Sequence, residues 1–206
     1  MKEYFFLVAL LLFHAWMVEA VVLDRVLAVV NGEIISLSEV ESELIFFDQL
    51  NPDQEKRFSD SVIQAETQKL IDHKLLLAEA KRFDVEDPTP QKIQKKLEEI
   101  QKRFSTTASF EKALRQNAMT LEDLKQKITE HLIVDGFIDQ RIRFFVIVLP
   151  EEISHYYAEN QADFQGKSFN EVEKDIERIL LEQKEVKKLE DYLRILKNKA
   201  SIQINF

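Results

Sequence analysis

Apolar positions run together near the start, recur every three or four residues for most of the chain, and alternate with polar ones at the end. Val26-Leu-Ala-Val-Val30, Asn31-Gly32 and Glu33-Ile-Ile35 predict a β-hairpin, because both residues of an Asn-Gly turn tolerate positive φ. Ser36-Leu-Ser-Glu39 follows as a capping box, which predicts a helix to about Leu50, broken at Asn51-Pro52. The next helix is expected from about Ser59 to Phe83, with Ile63, Leu70 and Leu77 on one stripe beside Ile71, Leu75 and Ala78. Thr89 precedes Pro90 at a helix start, where the missing N–H costs nothing, and that helix should end near Phe104. Shorter periodic runs predict helices near Ala108–Asn117 and from Thr120 to about Arg141. Phe144–Val148 is apolar but too short to assign to strand or helix. Pro150 opens a helix to about Asn160, and a second capping box at Ser168–Glu171 opens the longest one, ending near Lys199. Val172, Ile176, Ile179, Val186, Leu189, Leu193 and Leu196 form its stripe. Ser201-Ile-Gln-Ile-Asn-Phe206 reads as a strand whose one good partner is the N-terminal hairpin. The expected fold is mostly α: a helical lobe with a small sheet built from the N-terminal hairpin and the C-terminal strand.

Composition narrows the function classes. Three Gly and four Pro in 206 residues argue against turn-rich sandwiches, barrels and Rossmann folds. With no Cys, disulfides, thiolate zinc sites and Cys nucleophiles are excluded. A formal charge of −9 disfavours nucleic acid as a partner, since phosphate contacts need a basic face.

The first residues change the expected compartment. Lys2 precedes the uncharged run Tyr4–Phe13, and Val18-Glu19-Ala20 offers small residues at cleavage offsets. Residues 1–20 are therefore expected to be a cleavable signal peptide. The run is short against the roughly 20 apolar residues of a membrane span. An uncleaved inner-membrane anchor is the alternative; after cleavage no stable membrane insertion is expected.

No constellation reads as an active site. His73, His131 and His155 are single histidines on predicted helices, and exposed or edge positions account for them better than a metal site does. Gly-rich phosphate loops, Gly-x-Ser-x-Gly and His-Glu-x-x-His are missing from the sequence. No catalytic residue, cofactor or metal is expected. The unusual feature is fifteen Phe and four Tyr, including the adjacent pairs Phe46-Phe47, Phe144-Phe145 and Tyr156-Tyr157. Helical neighbours point about 100° apart, so burying both members of a pair takes two separate neighbours.

Three stretches, in order, resemble the periplasmic chaperone SurA family and the related parvulin-type foldases. They are Val26-Leu-Ala-Val-Val-Asn-Gly-Glu-Ile-Ile-Ser36, Met119-Thr-Leu-Glu-Asp-Leu124 and Val148-Leu-Pro-Glu-Glu-Ile-Ser-His-Tyr-Tyr157. The family usually inserts a parvulin isomerase module after a segment like Asn160–Phe164. Here only Gln165-Gly-Lys-Ser168 precedes the last helix, whereas a compact domain takes roughly 50 residues or more. The resemblance implies residues 21–164 as the N-terminal chaperone region, with residues 165–206 completing the same domain.

The resemblance and the export signal together imply an ATP-independent periplasmic holdase, not an enzyme, binding unfolded exported or outer-membrane polypeptides. Phe46, Phe47, Phe145 and Tyr156 are the candidate groove residues. An accessory subunit of an envelope or secretion complex is the alternative, and a prolyl isomerase the less favoured one. Swapped terminal strands offer a route to a homodimer.

Overall fold

A computed structural model describes residues 24–47 and 58–206. The hairpin forms as expected: β1 (Val26–Val30) pairs antiparallel with β2 (Glu33–Ser36). Asn31 at φ 51° and Gly32 at φ 90° make its two-residue turn, with both centres in the left-handed region. The register slips between Val26 and Ala28, and Leu27 and Ala28 are both fully buried. A bulge at that point turns two successive side chains toward the helices, where strict alternation would expose one.

Among the described residues seven helices follow, in the sequence order α1 (Leu37–Phe46), α2 (Asp60–Arg82), α3 (Pro90–Gln101), α4 (Thr107–Gln116), α5 (Leu121–Arg141), α6 (Pro150–Glu159) and α7 (Phe169–Lys199). Side-chain caps set most starts. Thr106 and Ser109 exchange bonds at 3.1 and 3.2 Å, and Thr120 and Asp123 at 3.1 and 2.8 Å. The Ser36 box forms only by half. The Glu39 N–H donates to Ser36 Oγ at 3.3 Å, but the Glu39 carboxylate turns to Lys74 of α2 at 3.2 Å. Two further expectations are corrected. α1 ends at Phe46, where about Leu50 was expected: Phe47 caps it with its N–H on the Glu43 carbonyl and its ring stacked on His131; residues 48–57, with the Asn51-Pro52 break, lie outside the described residues. On α2, Ala78 is exposed, and Leu76 and Ala80 complete the buried stripe instead.

β3 (Ile202–Ile204) adds to the free edge of β1, giving the strand order β2-β1-β3. Ile204 faces Ala28 and Ile202 faces Val30, antiparallel. The ends of the described chain therefore meet, as the alternation predicts. The protein is a mostly helical fold with one small antiparallel sheet made from both ends.

Three apolar clusters organise the packing of the described residues. The first joins β1, β2, α1, α2, the second half of α5 and the last turns of α7 around Phe137, Ile71 and Leu44. The second gathers α3, α4 and the first half of α5 around Phe46 from α1. In the third, Ile153 of α6 packs against Val172 and Ile176 of α7.

Removing Ile202–Phe206 is expected to destabilise the whole fold. β1 would lose a ladder and the Asn205-to-Leu27 bond at 2.8 Å, and would expose its edge. At about 1 kcal/mol per backbone bond, the loss is about 2 kcal/mol or more. An unfolding midpoint unchanged by the truncation would show that the third strand contributes nothing.

Candidate functional site

Residues 142–149 connect α5 to α6 and carry the main exposed apolar surface. Ile142 anchors the start and is 2% exposed. A 3₁₀ turn at Arg143–Phe145 follows, then extended backbone to Leu149. In the extended part Val146 and Val148 are half-buried while Ile147 and Leu149 are exposed, so side chains alternate as on a strand. Phe144 is 78% exposed, Phe145 58%, Ile147 69% and Leu149 54%. The apolar stretch that sequence periodicity could not assign is thus an extended strap with one apolar face in water.

α7 holds this strap by its backbone. Lys184 Nζ donates to the Ile147 carbonyl at 2.8 Å and to Glu152 Oε2 at 2.6 Å. Lys188, one turn later, donates to the Phe145 carbonyl at 3.2 Å, with its ammonium 5.2 Å from the Phe145 ring centre. Arg143 Nε lies 3.4 Å from Glu185 and the guanidinium also bonds Asp139. Three polar residues on one face of α7 thus grip the strap's main chain and its arginine. With those carbonyls held by α7, the Ile147 and Leu149 side chains stay exposed. The Phe144 and Phe145 rings meet edge to face at 5.2 Å.

The four groove candidates do not form one groove. Phe145 lies on the strap. Tyr156 is half-buried in the third cluster, 6.4 Å from Phe164, so its contact surface goes largely to holding α6 on α7. Phe47 is half-buried and stacks at 4.0 Å on His131. Phe46 is fully buried between Phe104 and Phe110, at 6.0 and 6.3 Å. That burial corrects its assignment: Phe46 is the plug by which α1 enters the second cluster. Phe144, the most exposed of the group, was not among the candidates, although its pairing with Phe145 pointed to it.

A polar cluster joins α1, α2 and α5, and residue-by-residue inspection of the sequence misses it. Glu43 is 3% exposed, with Lys127 Nζ at 2.7 Å on one oxygen and His131 Nε2 at 2.9 Å on the other. Burial alone would raise the Glu43 pKa; the His131 hydrogen bond and the Lys127 charge outweigh it and hold the group at about 2. The His73 ring lies 4.3 Å from His131. Burial, then the neighbouring His131 charge, pushes the His73 pKa down to about 4. One signal for the cluster does lie in the sequence: Glu43 sits on the Val40–Phe46 apolar face, where a carboxylate needs a partner.

Among the described residues no three His, Asp or Glu side chains are placed to hold a metal ion. No helix among them is long and apolar enough to cross a membrane. Among the described residues a cleft of about 640 Å³ lies between α3 and α5 and is lined by Lys81, Gln94, Glu122, Lys125, Thr129 and Glu130 among others. The Thr129 hydroxyl in it donates to the Lys125 carbonyl at 2.9 Å.

Similarity to known proteins adds to this geometry. Residues 1–138 match the model of a family described as SurA-like N-terminal domain. Two Clostridium perfringens proteins, each named foldase protein PrsA, are 28% identical over 163 residues, covering 72% of this chain and 46% of the relative. The chain therefore spans about half the length of the curated relatives it matches.

Phe46 and Phe145 are expected to separate sharply on substitution. Phe46→Ala should cost about 3–5 kcal/mol by opening the second cluster. Phe145→Ala should stay within about 0.5 kcal/mol of the parent, as for other exposed sites. Denaturant unfolding of both variants measures this; similar losses would contradict the burial pattern.

Proposed function

The chain belongs to the SurA-like N-terminal domain family, and on that premise we propose that it is an ATP-independent chaperone of the holdase type. The exposed strap carries the reading. Phe144, Phe145, Ile147 and Leu149 offer an adjoining apolar face on a chain whose other large apolar groups mostly sit in three packed clusters. A contiguous apolar face on a soluble protein is a surface for binding. Four side chains without a deep pocket suit weak, broad recognition of unfolded segments better than selection of one ligand. The clients in this reading are unfolded exported polypeptides, outer-membrane proteins among them, met in the periplasm after cleavage of residues 1–20.

The relatives are named foldases, which raises the question of proline isomerisation. Between Phe164 and α7 the chain turns through Gln165 at φ 51° and Gly166 at φ 81°, and the Lys167 N–H bonds the Phe164 carbonyl at 3.0 Å. The resemblance to SurA-type chaperones would put an inserted isomerase module at this tight turn. The holdase reading therefore assigns this chain binding without isomerisation.

The test is suppression of aggregation of an unfolded outer-membrane barrel protein, without ATP, at several-fold excess of chaperone. The full chain should delay aggregation, and the triple variant Phe144→Ser, Phe145→Ser, Ile147→Ser should lose most of that effect while keeping its unfolding midpoint. In a coupled peptide assay the same preparation should not accelerate proline isomerisation. No delay by the parent protein would shift the assignment to an accessory subunit of an envelope or secretion complex. Equal delay by the triple variant would move the binding surface away from the strap.

A further inference from the structure

We propose that the strap binds an extended client segment by main-chain pairing: the Lys184–Glu152 ion pair fills one edge of residues 147–149 in place of a neighbouring strand, and the opposite edge, at Val146 and Val148, receives the client as an added β-strand. This inference rests on the client-binding reading and names its mode.

The strap already has the backbone of a strand. Val146 lies at φ −94°, ψ 124° and Leu149 at φ −87°, ψ 148°, both extended. In an extended chain the N–H and C=O of one residue point to the same edge, and successive residues point to opposite edges. The Ile147 carbonyl and the Leu149 N–H therefore share an edge. Lys184 Nζ of α7 donates to the first at 2.8 Å, and Glu152 Oε2 of α6 accepts from the second at 2.8 Å. The two side chains meet at 2.6 Å. Together they supply one donor and one acceptor on either side of Val148, as a residue of a parallel partner strand would.

The other edge is open. The Val146 N–H bonds the Arg143 carbonyl at 2.9 Å and ends the 3₁₀ turn. Beyond it the Val146 C=O and the Val148 N–H and C=O make no hydrogen bond among the described residues. Unpaired groups in a row along an extended edge are a template for another strand. An antiparallel segment would exchange two bonds with Val148 and give a third to the Val146 carbonyl. On one face its side chains would stand beside the exposed side chains of Ile147 and Leu149.

A second copy of the chain fits this edge poorly. Residues 142–149 span at most about 26 Å when extended, so at a strand-like width near 10 Å they offer roughly 260 Å². A stable dimer takes about 800 Å² per partner. The formal charge of −9 also opposes bringing two copies together. A single extended segment matches both the length of the strap and its row of main-chain groups. Recognition through the main chain reads no particular sequence, which suits a chaperone of many clients.

Binding of a short labelled peptide from an outer-membrane barrel strand to the full chain is measured by fluorescence anisotropy, beside two analogues with equal numbers of backbone N-methyl groups. One analogue carries them on alternate residues, which blocks one edge of the peptide and leaves the other free. The second carries them on successive residues, which blocks both edges. The alternate analogue should bind like the parent peptide, and the successive one about fivefold more weakly for each main-chain bond lost. On the protein side, Val148→Pro removes the N–H of the open edge and Val148→Ala keeps it. The proline variant should bind the parent peptide about fivefold more weakly than the alanine variant. Equal affinity of the two analogues, kept or lost together, overturns the pairing and leaves the client-binding reading standing, as does equal affinity of the two folded Val148 variants. Failure of the parent peptide to bind overturns both. If Val148→Pro does not fold, the two analogues decide.

Discussion

Everything else in this fold depends on the pairing of β1 with a strand about 170 residues further along the chain. β1 is the central strand of three, so it has no stable edge until β3 arrives. Asn31 secures the junction twice. Its N–H donates to the Ser201 carbonyl at 2.8 Å, and its Oδ1 accepts the Ser201 N–H at 2.9 Å. One residue thus supplies both the left-handed turn of the hairpin and the docking point for the returning chain. Closing so long a loop costs entropy, though the cost grows only logarithmically with length. The first cluster offsets it, because Leu189, Tyr192, Leu193 and Leu196 of α7 reach the hairpin side of the molecule together with β3.

That return fixes the role of α7. Its apolar stripe reads as continuous in sequence, yet it serves two different clusters. Val172, Ile176 and Leu180 pack on α6, whereas Leu189 to Leu196 pack on the first cluster. Between them Val186 is 51% exposed, and Lys184 and Lys188 take over the contact with the strap. Polar side chains holding main-chain carbonyls can fix an extended segment without covering its side chains. An apolar contact at the same place would have buried Ile147 and Leu149 and removed the exposed apolar face.

The elements were legible where local chemistry decides them. The Asn-Gly turn, the threonine and serine caps, Pro90 and Pro150 at helix starts and the terminal alternation each act within a few residues, and each appears in the fold. The site was legible only in kind. Surplus aromatics pointed to an apolar surface, but Phe46 and Phe47 are adjacent and end in different environments, one plugging a core and one capping an imidazole. Which of two neighbours is covered depends on helices that arrive later in the chain. The Glu43 cluster was hidden for the same reason, since Lys127 and His131 stand 84 and 88 residues from it. Single histidines look bland in sequence because stacking and desolvation are properties of the assembled joint.

The strap and the Glu43 cluster put their side chains under opposite constraints. At the strap, apolar side chains stay in water because polar contacts oppose their collapse onto α7, and the excess negative charge of the chain works against self-association through that face. At the Glu43 cluster, ionisable side chains are drawn out of water by aromatic stacking and three packed helices. A buried carboxylate is tolerated only while its two partners stay in place; removing one leaves an uncompensated charge that costs more than the pair contributes. Losing the His131 bond alone would leave Glu43 unpaired on one oxygen, three residues from the phenylalanine that closes the second cluster. Local electrostatics and core packing thus meet at the end of α1, apart from the sheet that closes the fold.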